Sequence, residues 1–406
     1  MMNYPEAFFS TKAKNLPPKI EENIIALFGV DTLDQLSDSQ LVSIGAGTKQ
    51  LFATTGFTDY HNYAKEYTLY YFPVNFYKIW KPLTDLLITD SLPEKGKFLE
   101  LGAGPGSSTL ALIEYYKVLA GANPQIQFSI DLKIVERESE FVRILRSMLG
   151  LSTVALPSNL RLSYEIISGD AVKFLENKTG RYDVIYESNM LNPNEFGNET
   201  KTLSFAYNIA NSLNPNSSVI MIEPGASNLK ATINKVKTAI RRQGLRQYSP
   251  CSCNHQSCRQ YITQYVDTSE MTILKDLQRK KIITVAKQKN HSFEYTVYRN
   301  DDFSKYDLPV PTAIFSNLDT YLGNMINFTA TILGRTEKEE SILLKVCNGT
   351  AKEDVIWFSL PQKLLPEELN SMLKRGHGGL IKVKNATVVG THKIIATEET
   401  SIELLF

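Results

Sequence analysis

The feature that most constrains this chain is Phe98-Leu-Glu-Leu-Gly-Ala-Gly-Pro-Gly106, a short apolar run that passes straight into a glycine-rich turn. Lys97–Leu101 predicts a strand, and Ser108–Leu119 beyond the turn has helical spacing. Glycine at 102, 104 and 106 removes three side chains, so the backbone can turn tightly there and come close to a ligand. A strand that ends in such a turn and opens a helix belongs to a parallel α/β sheet.

The sequence that follows keeps the same alternation. Strands are predicted at Gln127–Val135, Leu160–Ile167, Asp183–Tyr186 and Ser218–Ile222, with a helix at Ser139–Leu149. Ile282–Ala286 and Phe293–Tyr298 read as a closing antiparallel pair. The alternation predicts a doubly wound sheet. The added hairpin is a mark of Rossmann-like methyltransferases rather than of dinucleotide dehydrogenases.

Four acidic positions follow the predicted strand ends in order. Glu100 ends the first strand, where a carboxylate would repel a pyrophosphate but attract the ammonium group of S-adenosylmethionine. Glu136, in Val135-Glu-Arg137, stands where a carboxylate accepts two ribose hydroxyls. Asp170 and Ala171, in Ser168-Gly-Asp-Ala171, stand where an acid meets an adenine amino group. Tyr186-Glu-Ser-Asn-Met-Leu-Asn192 follows the fourth strand and faces the methyl donor, which adds Glu187 and Asn189. Each acid alone could simply cap a helix. Together with Gly102, Ala103, Gly104 and Gly106 they predict a binding site for S-adenosylmethionine.

A chain of 406 residues has room for two or three domains. Residues 1–95 read as helical. Between Thr58 and Leu87 lie Tyr60, Tyr63, Tyr67, Tyr70, Tyr71, Phe72, Phe76, Tyr77 and Trp80, which either pack a helical cap onto the next domain or line a ligand mouth. Pro73 is expected to break or kink a helix there. Residues 96–305 form the Rossmann-like methyltransferase domain, with a cysteine-bearing insertion at about 247–265. Pro309 and Pro311 mark a linker. Beyond it, strand-like runs at Met325–Leu333, Ser341–Val346, Asp354–Ser359, Leu380–Val389 and Lys393–Leu405, with a helix at Pro366–Lys374, give the order of an OB-like β-barrel over residues 320–406. Gly378-Gly379 suits a barrel corner.

Three of the four cysteines crowd into Ser249-Pro-Cys-Ser-Cys-Asn-His-Gln-Ser-Cys258. Cys251, Cys253 and Cys258, with His255 beside them and Cys347 ending a barrel strand, suggest a metal site that would join two domains. Zinc and an iron–sulfur cluster both suit that donor set. Lys235, Lys237, Arg241, Arg242 and Arg246 precede the cluster, and Arg279, Lys280 and Lys281 follow it. They read either as solvated helix faces or as a phosphate-contacting patch. The whole molecule has no basic field, since 44 Lys and Arg against 43 Asp and Glu leave a net charge of +1. Nucleic acid would therefore be met by local patches, such as an OB-like barrel beside the cluster. The N-terminus carries no signal-peptide pattern and no apolar run is long enough to cross a membrane, so a cytoplasmic or organelle-matrix location is expected.

Taken together, these residues resemble the methyltransferase-like proteins associated with the small ribosomal subunit of mitochondria and bacteria, which are small-subunit rRNA methyltransferases or assembly factors. The resemblance runs from about Tyr63 to Cys347. It rests on Tyr70-Tyr-Phe-Pro-Val-Asn-Phe-Tyr77, Leu99-Glu-Leu-Gly-Ala-Gly-Pro-Gly106, Val135-Glu-Arg137, Ser188-Asn-Met-Leu-Asn192, Glu223-Pro-Gly225, the cysteine cluster, Phe293-Glu-Tyr-Thr-Val-Tyr298 and Leu343-Leu-Lys-Val-Cys347. It implies a four-iron (4Fe-4S) cluster on Cys251, Cys253, Cys258 and Cys347, and a small-ribosomal-subunit RNA partner. The chain departs from the family in reading Cys-Ser-Cys-Asn-His for Cys-Pro-His and in lacking a later Trp-Cys-His; Cys253 stands in for the missing cysteine.

No catalytic residue is named by the sequence. Asn-Pro-Pro-Tyr, typical of amino-group methyltransferases, is absent after the fourth strand, and no cysteine nucleophile sits there. Methyl transfer to an already nucleophilic acceptor needs only positioning. Three readings therefore stand: an rRNA methyltransferase, a small-molecule or protein methyltransferase, and a non-catalytic RNA-binding assembly factor.

Overall fold

A computed structural model of the chain describes all residues except 1, 11, 54–59, 153–155, 178–179, 192, 226–228, 251–262, 289, 302–314, 349–354, 376–378 and 405–406. Pro309, Pro311, Gly378, Asn192, His255 and the three clustered cysteines thus lie outside the described residues. Contacts divide the chain into two compact units, residues 1–243 with 265–293, and residues 244–264 with 294–406.

The strands are β1 Lys95–Leu101, β2 Phe128–Glu136, β3 Leu160–Ser168, β4 Tyr182–Ser188, β5 Leu213–Pro224, β6 Arg246–Ser249, β7 Thr263–Asp267 and β8 Asn290–Arg299. Backbone hydrogen bonds set them in the order β3-β2-β1-β4-β5-β8-β6, with β7 also on β8. β1 to β5 pair in parallel, and β6 pairs antiparallel with β8. This order gives the Rossmann-like fold of methyltransferases.

The inner strands β1, β2 and β4 bury apolar stretches because both faces of the sheet are covered there, while the edge strand β3 is largely exposed. Phe98, Leu99 and Leu101 of β1 and Ile130, Leu132, Ile134 and Val135 of β2 are wholly buried. The helix Ser107–Ala122 that follows β1 is buried nearly all round, with Tyr115 and Tyr116 fully enclosed. Register fixes where the strands stop. Leu101 lies opposite Val135 and Glu187, Glu136 opposite Ser168, and Ser188 opposite Ile222. All five parallel strands therefore release their chains at one sheet edge, and β1 and β4 flank the point where strand order reverses. Crevices at such a point take ligands.

The antiparallel pair differs from the sequence reading at one member. Phe293–Tyr298 lies in β8, but Ile282–Ala286 forms no strand. Ile282 and Ile283 donate back to the Leu277 carbonyl and close the helix Thr272–Arg279, and a short helix follows at Val285–Gln288. β8 pairs instead with β6, whose Arg-Gln-Tyr-Ser sequence carries too little apolar character to read as a strand.

In the N-terminal region helices span Pro18–Ala26, Asp38–Ala53, Ala64–Phe76 and Trp80–Leu87. Pro73 lies inside the third, which runs on to Phe76 before a 3-10 turn at Tyr77–Ile79. From outside the helix the Ser107 hydroxyl donates to the Phe72 carbonyl at 2.8 Å.

The second unit contains a closed barrel of β9 Met325–Glu337, β10 Ser341–Cys347, β11 Val355–Pro361, β12 Leu380–Gly390 and β13 Lys393–Ile395, with β14 Ser401–Leu404 on the edge of β12. A helix at Glu367–Arg375 precedes β12, and β13 closes the ring by pairing parallel to β11 and antiparallel to β12. That is OB-like topology. Phe328, Leu344, Phe358, Ile381 and Ile394 fill it. The single C-terminal strand expected at Lys393–Leu405 is two, separated by a turn closed by the Thr400-to-Thr397 hydrogen bond.

Candidate functional site

A cavity of about 670 Å³ opens at the carboxyl edge of the sheet within the first unit. One wall is the turn after β1. Gly102, Gly104 and Gly106 have φ of 67°, 57° and 95°, a left-handed backbone that only glycine adopts without strain. The three glycines are not equivalent. A Cβ at Gly102 would meet Met190 at 2.8 Å, and one at Gly106 would strike the Leu145 side chain. A Cβ at Gly104 meets no atom within 4 Å. Gly104 borders the cavity, so its missing side chain leaves room there.

Glu136 locks the turn. Its Oε2 accepts from the Gly104 N–H at 2.6 Å and its Oε1 from the Glu138 N–H at 2.8 Å. Burial pushes its carboxyl up, and the backbone N–H groups pull it back. Two backbone bonds leave lone pairs on both oxygens for further donors.

Asp170 and Ala171 also line the cavity. Asp170 caps the helix Ala171–Glu176, its Oδ1 accepting from Val172 and Lys173 at 3.0 Å each. Its other oxygen lies 3.9 Å from Arg137, which pairs more closely with Glu195. Ser188 and Asn189 line the wall after β4, where Asn189 has a φ of 57° and donates its N–H to the Ile222 carbonyl at 2.8 Å.

Glu100 and Glu187 sit differently. Neither is among the residues bordering the cavity. The Glu100 carboxyl points inward, accepting from Thr109 and, at 2.9 Å, from the Tyr186 hydroxyl. Burial pushes it up to about 8, so it is held largely as the neutral acid at pH 7 and exerts little ionic pull. Glu187 is 2% exposed and shares a hydrogen bond with Glu223. Burial and the Glu223 charge push Glu187 well up. Glu223 is raised by burial but helped by the N–H groups of Met190 and Leu191, at 3.1 and 2.9 Å. Glu187 carries the larger upward push of the pair, and Glu223 is the member that borders the cavity.

Asn75, Lys78 and His291 went unread in the sequence as wall residues, and the tyrosines were read as either packing or lining. Asn75 and Lys78 are buried, with Lys78 Nζ donating to Asn75 Oδ1 at 2.7 Å and lying 5.7 Å from the Phe293 ring centre. Burial pushes Lys78 down to about 8, with Glu223 acting against it. At the start of β8, His291 borders the cavity with a buried Nε2 that finds no hydrogen-bond partner among the described residues. Burial, then Lys78 and Lys287, push the imidazole down to about 4, so it is neutral at pH 7. Tyr60, Tyr67, Tyr70 and Tyr71 border the cavity, with Tyr67 and Tyr71 ring centres 4.7 Å apart and Phe141 5.1 Å from Tyr67. Phe72 also borders it, while Phe76 is packed in the core. The signal for this wall was the chemistry of Asn75 and Lys78, an amide and an ammonium on the same helical face as Tyr67 and Tyr71.

Cys251, Cys253 and Cys258 fall outside the described residues, between the end of β6 and the start of β7. Cys347 is 3% exposed at the end of β10, opposite Thr331 and Val355. Among the described residues no group of three or more His, Cys, Asp or Glu could hold a metal ion. Arg279 and Lys280 are ion-paired to Asp34, and Arg242 faces Glu199 at 3.8 Å, so these basic residues are partly neutralised. No helix of the described residues is long and apolar enough to cross a membrane.

No protein-family model and no curated protein matches the sequence. Solved structures match about half of it. An S-adenosylmethionine-dependent methyltransferase of Methanosarcina mazei is 9% identical, covering 52% of this chain and 96% of that one at a TM-score of 0.33. Aeropyrum pernix fibrillarin, solved with natively bound S-adenosylmethionine, is 13% identical over 53% of this chain and 74% of that one, at 0.29. Precorrin-6y C5,15-methyltransferase of Geobacter metallireducens is 11% identical over 53% and 83%, at 0.31. The strand order described above establishes the fold on its own.

Proposed function

We propose that the chain is an S-adenosylmethionine-dependent methyltransferase, or a methyltransferase-like factor keeping that cofactor site, and that it acts on RNA of the small ribosomal subunit. The observation that carries the cofactor reading is the Glu136 lock. A carboxylate at the end of β2 is tied to the glycine turn after β1 and borders the same cavity as Asp170, Ala171, Ser188 and Asn189. Glu136 would accept the ribose hydroxyls, Asp170 and Ala171 would border the adenine, and Gly102, Ala103, Gly104 and Asn189 the methionine end. The clustered tyrosines, tilted or edge-on to one another, offer aromatic surface to a flat base. Glu100 and Glu187 would act through the residues they hold, by supporting β1 and β4 rather than by touching ligand. Bound there, the cofactor supplies an electrophilic methyl group.

The chain's own residues would then do the positioning. The wall of Asn75, Lys78, Glu223 and His291 offers hydrogen-bond donors and acceptors to an acceptor nucleobase. A neutral imidazole with a buried, unpartnered Nε2 and the buried Lys78 ammonium can orient such a group without a dedicated nucleophile. RNA as the partner is supported by the sequence resemblance and the OB-like barrel.

Titration of S-adenosylmethionine by calorimetry tests the cofactor reading. Wild type is expected to bind, and Glu136→Ala to bind roughly tenfold to a hundredfold more weakly, the worth of a charge-assisted hydrogen bond. Equal affinity of the two would refute it. Transfer of labelled methyl to small-subunit rRNA tests the acceptor. Donor binding with no incorporation into any ribosomal RNA would leave the assembly-factor reading.

The four thiols Cys251, Cys253, Cys258 and Cys347 suit a four-iron cluster, with zinc the alternative ion. Iron, sulfide and zinc analysis of anaerobically purified wild type and Cys347→Ser decides between them. A protein holding neither metal would remove this part of the reading and leave the cofactor site untouched.

A further inference from the structure

The barrel carries an outward row that the cofactor site does not use. Register places Lys345 of β10 opposite Trp357 of β11, and Trp357 opposite Lys393 of β13. Their strand neighbours Leu344, Val346, Ile356, Phe358 and Ile394 are all buried in the barrel, so the alternation of a strand turns these three side chains outward. Trp357 is 38% exposed, uncommon for so large an apolar group. On the other flank of Lys345 the row continues with Gly334, which adds no side chain. The next row is Thr336, Leu343, Ser359 and Ile395. No residue of either row is acidic. Among the described residues the ion pairs of the barrel strands are Arg335–Glu337 and Lys382–Glu403, and Lys363 beyond β11 pairs with Glu398; none of them uses Lys345 or Lys393.

We infer that this face binds single-stranded nucleic acid, one base stacking on the Trp357 indole and the phosphates on either side meeting Lys345 and Lys393. Neighbouring strands lie about 4.8 Å apart, so the two lysines stand about 10 Å apart with the indole between them. An aromatic platform bracketed by cations matches a stacked base with its flanking phosphates. It matches a protein partner poorly, because lysine is depleted from the cores of protein interfaces. The inference deepens the RNA reading above, but it needs neither the methyl donor nor the cavity.

The chain has two tryptophans, which makes the test direct. Trp80 is buried, its Nε1–H held by the Ala111 carbonyl at 3.0 Å, so a quencher from solution reaches Trp357. Short oligo(U) and oligo(dT) are titrated into the full-length protein without methyl donor while tryptophan emission is followed. Quenching is expected, with affinity falling as salt rises at a log–log slope near −1.4 for two phosphates. Trp357→Ala, checked for an unchanged melting temperature and followed by anisotropy of labelled oligonucleotide, is expected to bind about fivefold to a hundredfold more weakly. Lys345→Gln with Lys393→Gln is expected to remove most of the salt slope. Tighter binding of oligo(U) assigns RNA, and equal binding assigns single strands of either sugar. Glu136→Ala is expected to bind oligonucleotide like wild type, which separates failure here from failure of the cofactor reading. Emission unchanged by either oligonucleotide, or Trp357→Ala binding within twofold of wild type, would overturn the inference. So would quenching by small-subunit proteins alone, which would make the face a protein interface.

Discussion

Alanine placed at Gly104 and at Gly106, two residues apart in one turn, should break different things. At Gly106 the φ is 95°, and the added methyl would run into Leu145, which is fully buried on the next helix. The left-handed backbone costs about 1–2 kcal/mol, and forcing a methyl into a packed contact about 1–3 kcal/mol more. For a unit of this size that total of ~2–5 kcal/mol corresponds to roughly 5–15 °C of melting temperature. At Gly104 the φ is 57° and nothing lies within 4 Å of the new Cβ, so only the backbone cost of about 1–2 kcal/mol applies. There the methyl projects into the room left for the donor beside the N–H that Glu136 holds. Gly104→Ala should therefore stay folded, lose only a few degrees, and lose most of its affinity for S-adenosylmethionine. Gly106→Ala should lose far more stability and, where still folded in the cold, retain more affinity. Scanning calorimetry and donor titration on both variants decide the matter. If Gly104→Ala binds donor like wild type, or if the two variants melt together, the assignment of Gly104 to the ligand side and Gly106 to the packing side is wrong.

Glu100 gives a pH prediction. Its folded carboxyl sits near 8, above the unfolded value, so the folded state holds a proton that the unfolded state has released. Stability therefore falls as pH rises from about 4.5 towards 8, and Glu100→Gln, which keeps an acceptor for Thr109 and Tyr186, should flatten that fall in melts across the range. A fall of equal steepness in the variant would assign it to other groups. In the barrel, Phe328 packs against Phe315 and Phe358 with ring centres 5.3 and 5.5 Å away, and Phe328→Ala should cost about 3–5 kcal/mol in denaturant unfolding of the second unit. A loss under about 1 kcal/mol would mean that the site collapses around the gap.

What the sequence could reveal follows from which constraints are local. Strand ends, glycine turns and acids after strands recur at fixed offsets, so Glu136, Asp170 and the turn at 102–106 are legible in the order of residues alone, as is the order of the barrel strands. Whether an acid faces a ligand is not local. Glu100 and Glu136 both end strands, yet one carboxyl turns inward to Thr109 and Tyr186 while the other borders the cavity. That choice depends on which sheet face each residue occupies and on what covers it, and neither is written near the residue. The edge strand β6 escaped for the opposite reason: its place is fixed by pairing with β8, not by its own Arg-Gln-Tyr-Ser composition.

The cavity wall from the helix Ala64–Phe76 and the turn after it shows the same limit from another side. Tyr67, Tyr71, Asn75 and Lys78 follow one helical face, but the opposite faces are as apolar, carrying Leu69, Phe72 and Phe76. A helix buried all round has no polar side against which a functional stripe stands out. The distinguishing signal was chemical rather than periodic, an asparagine and a lysine where every neighbour asks for an apolar residue. Burying Lys78 costs free energy that only a paired environment offsets, and Asn75, Glu223 and the Phe293 ring supply that environment. The apolar core alone gives no reason to keep that arrangement, since a methionine would pack there without needing partners. Its position on the cavity that Glu136 also borders gives one: under the methyltransferase proposal it sets a polar group on the wall of that cavity, where an acceptor would be held.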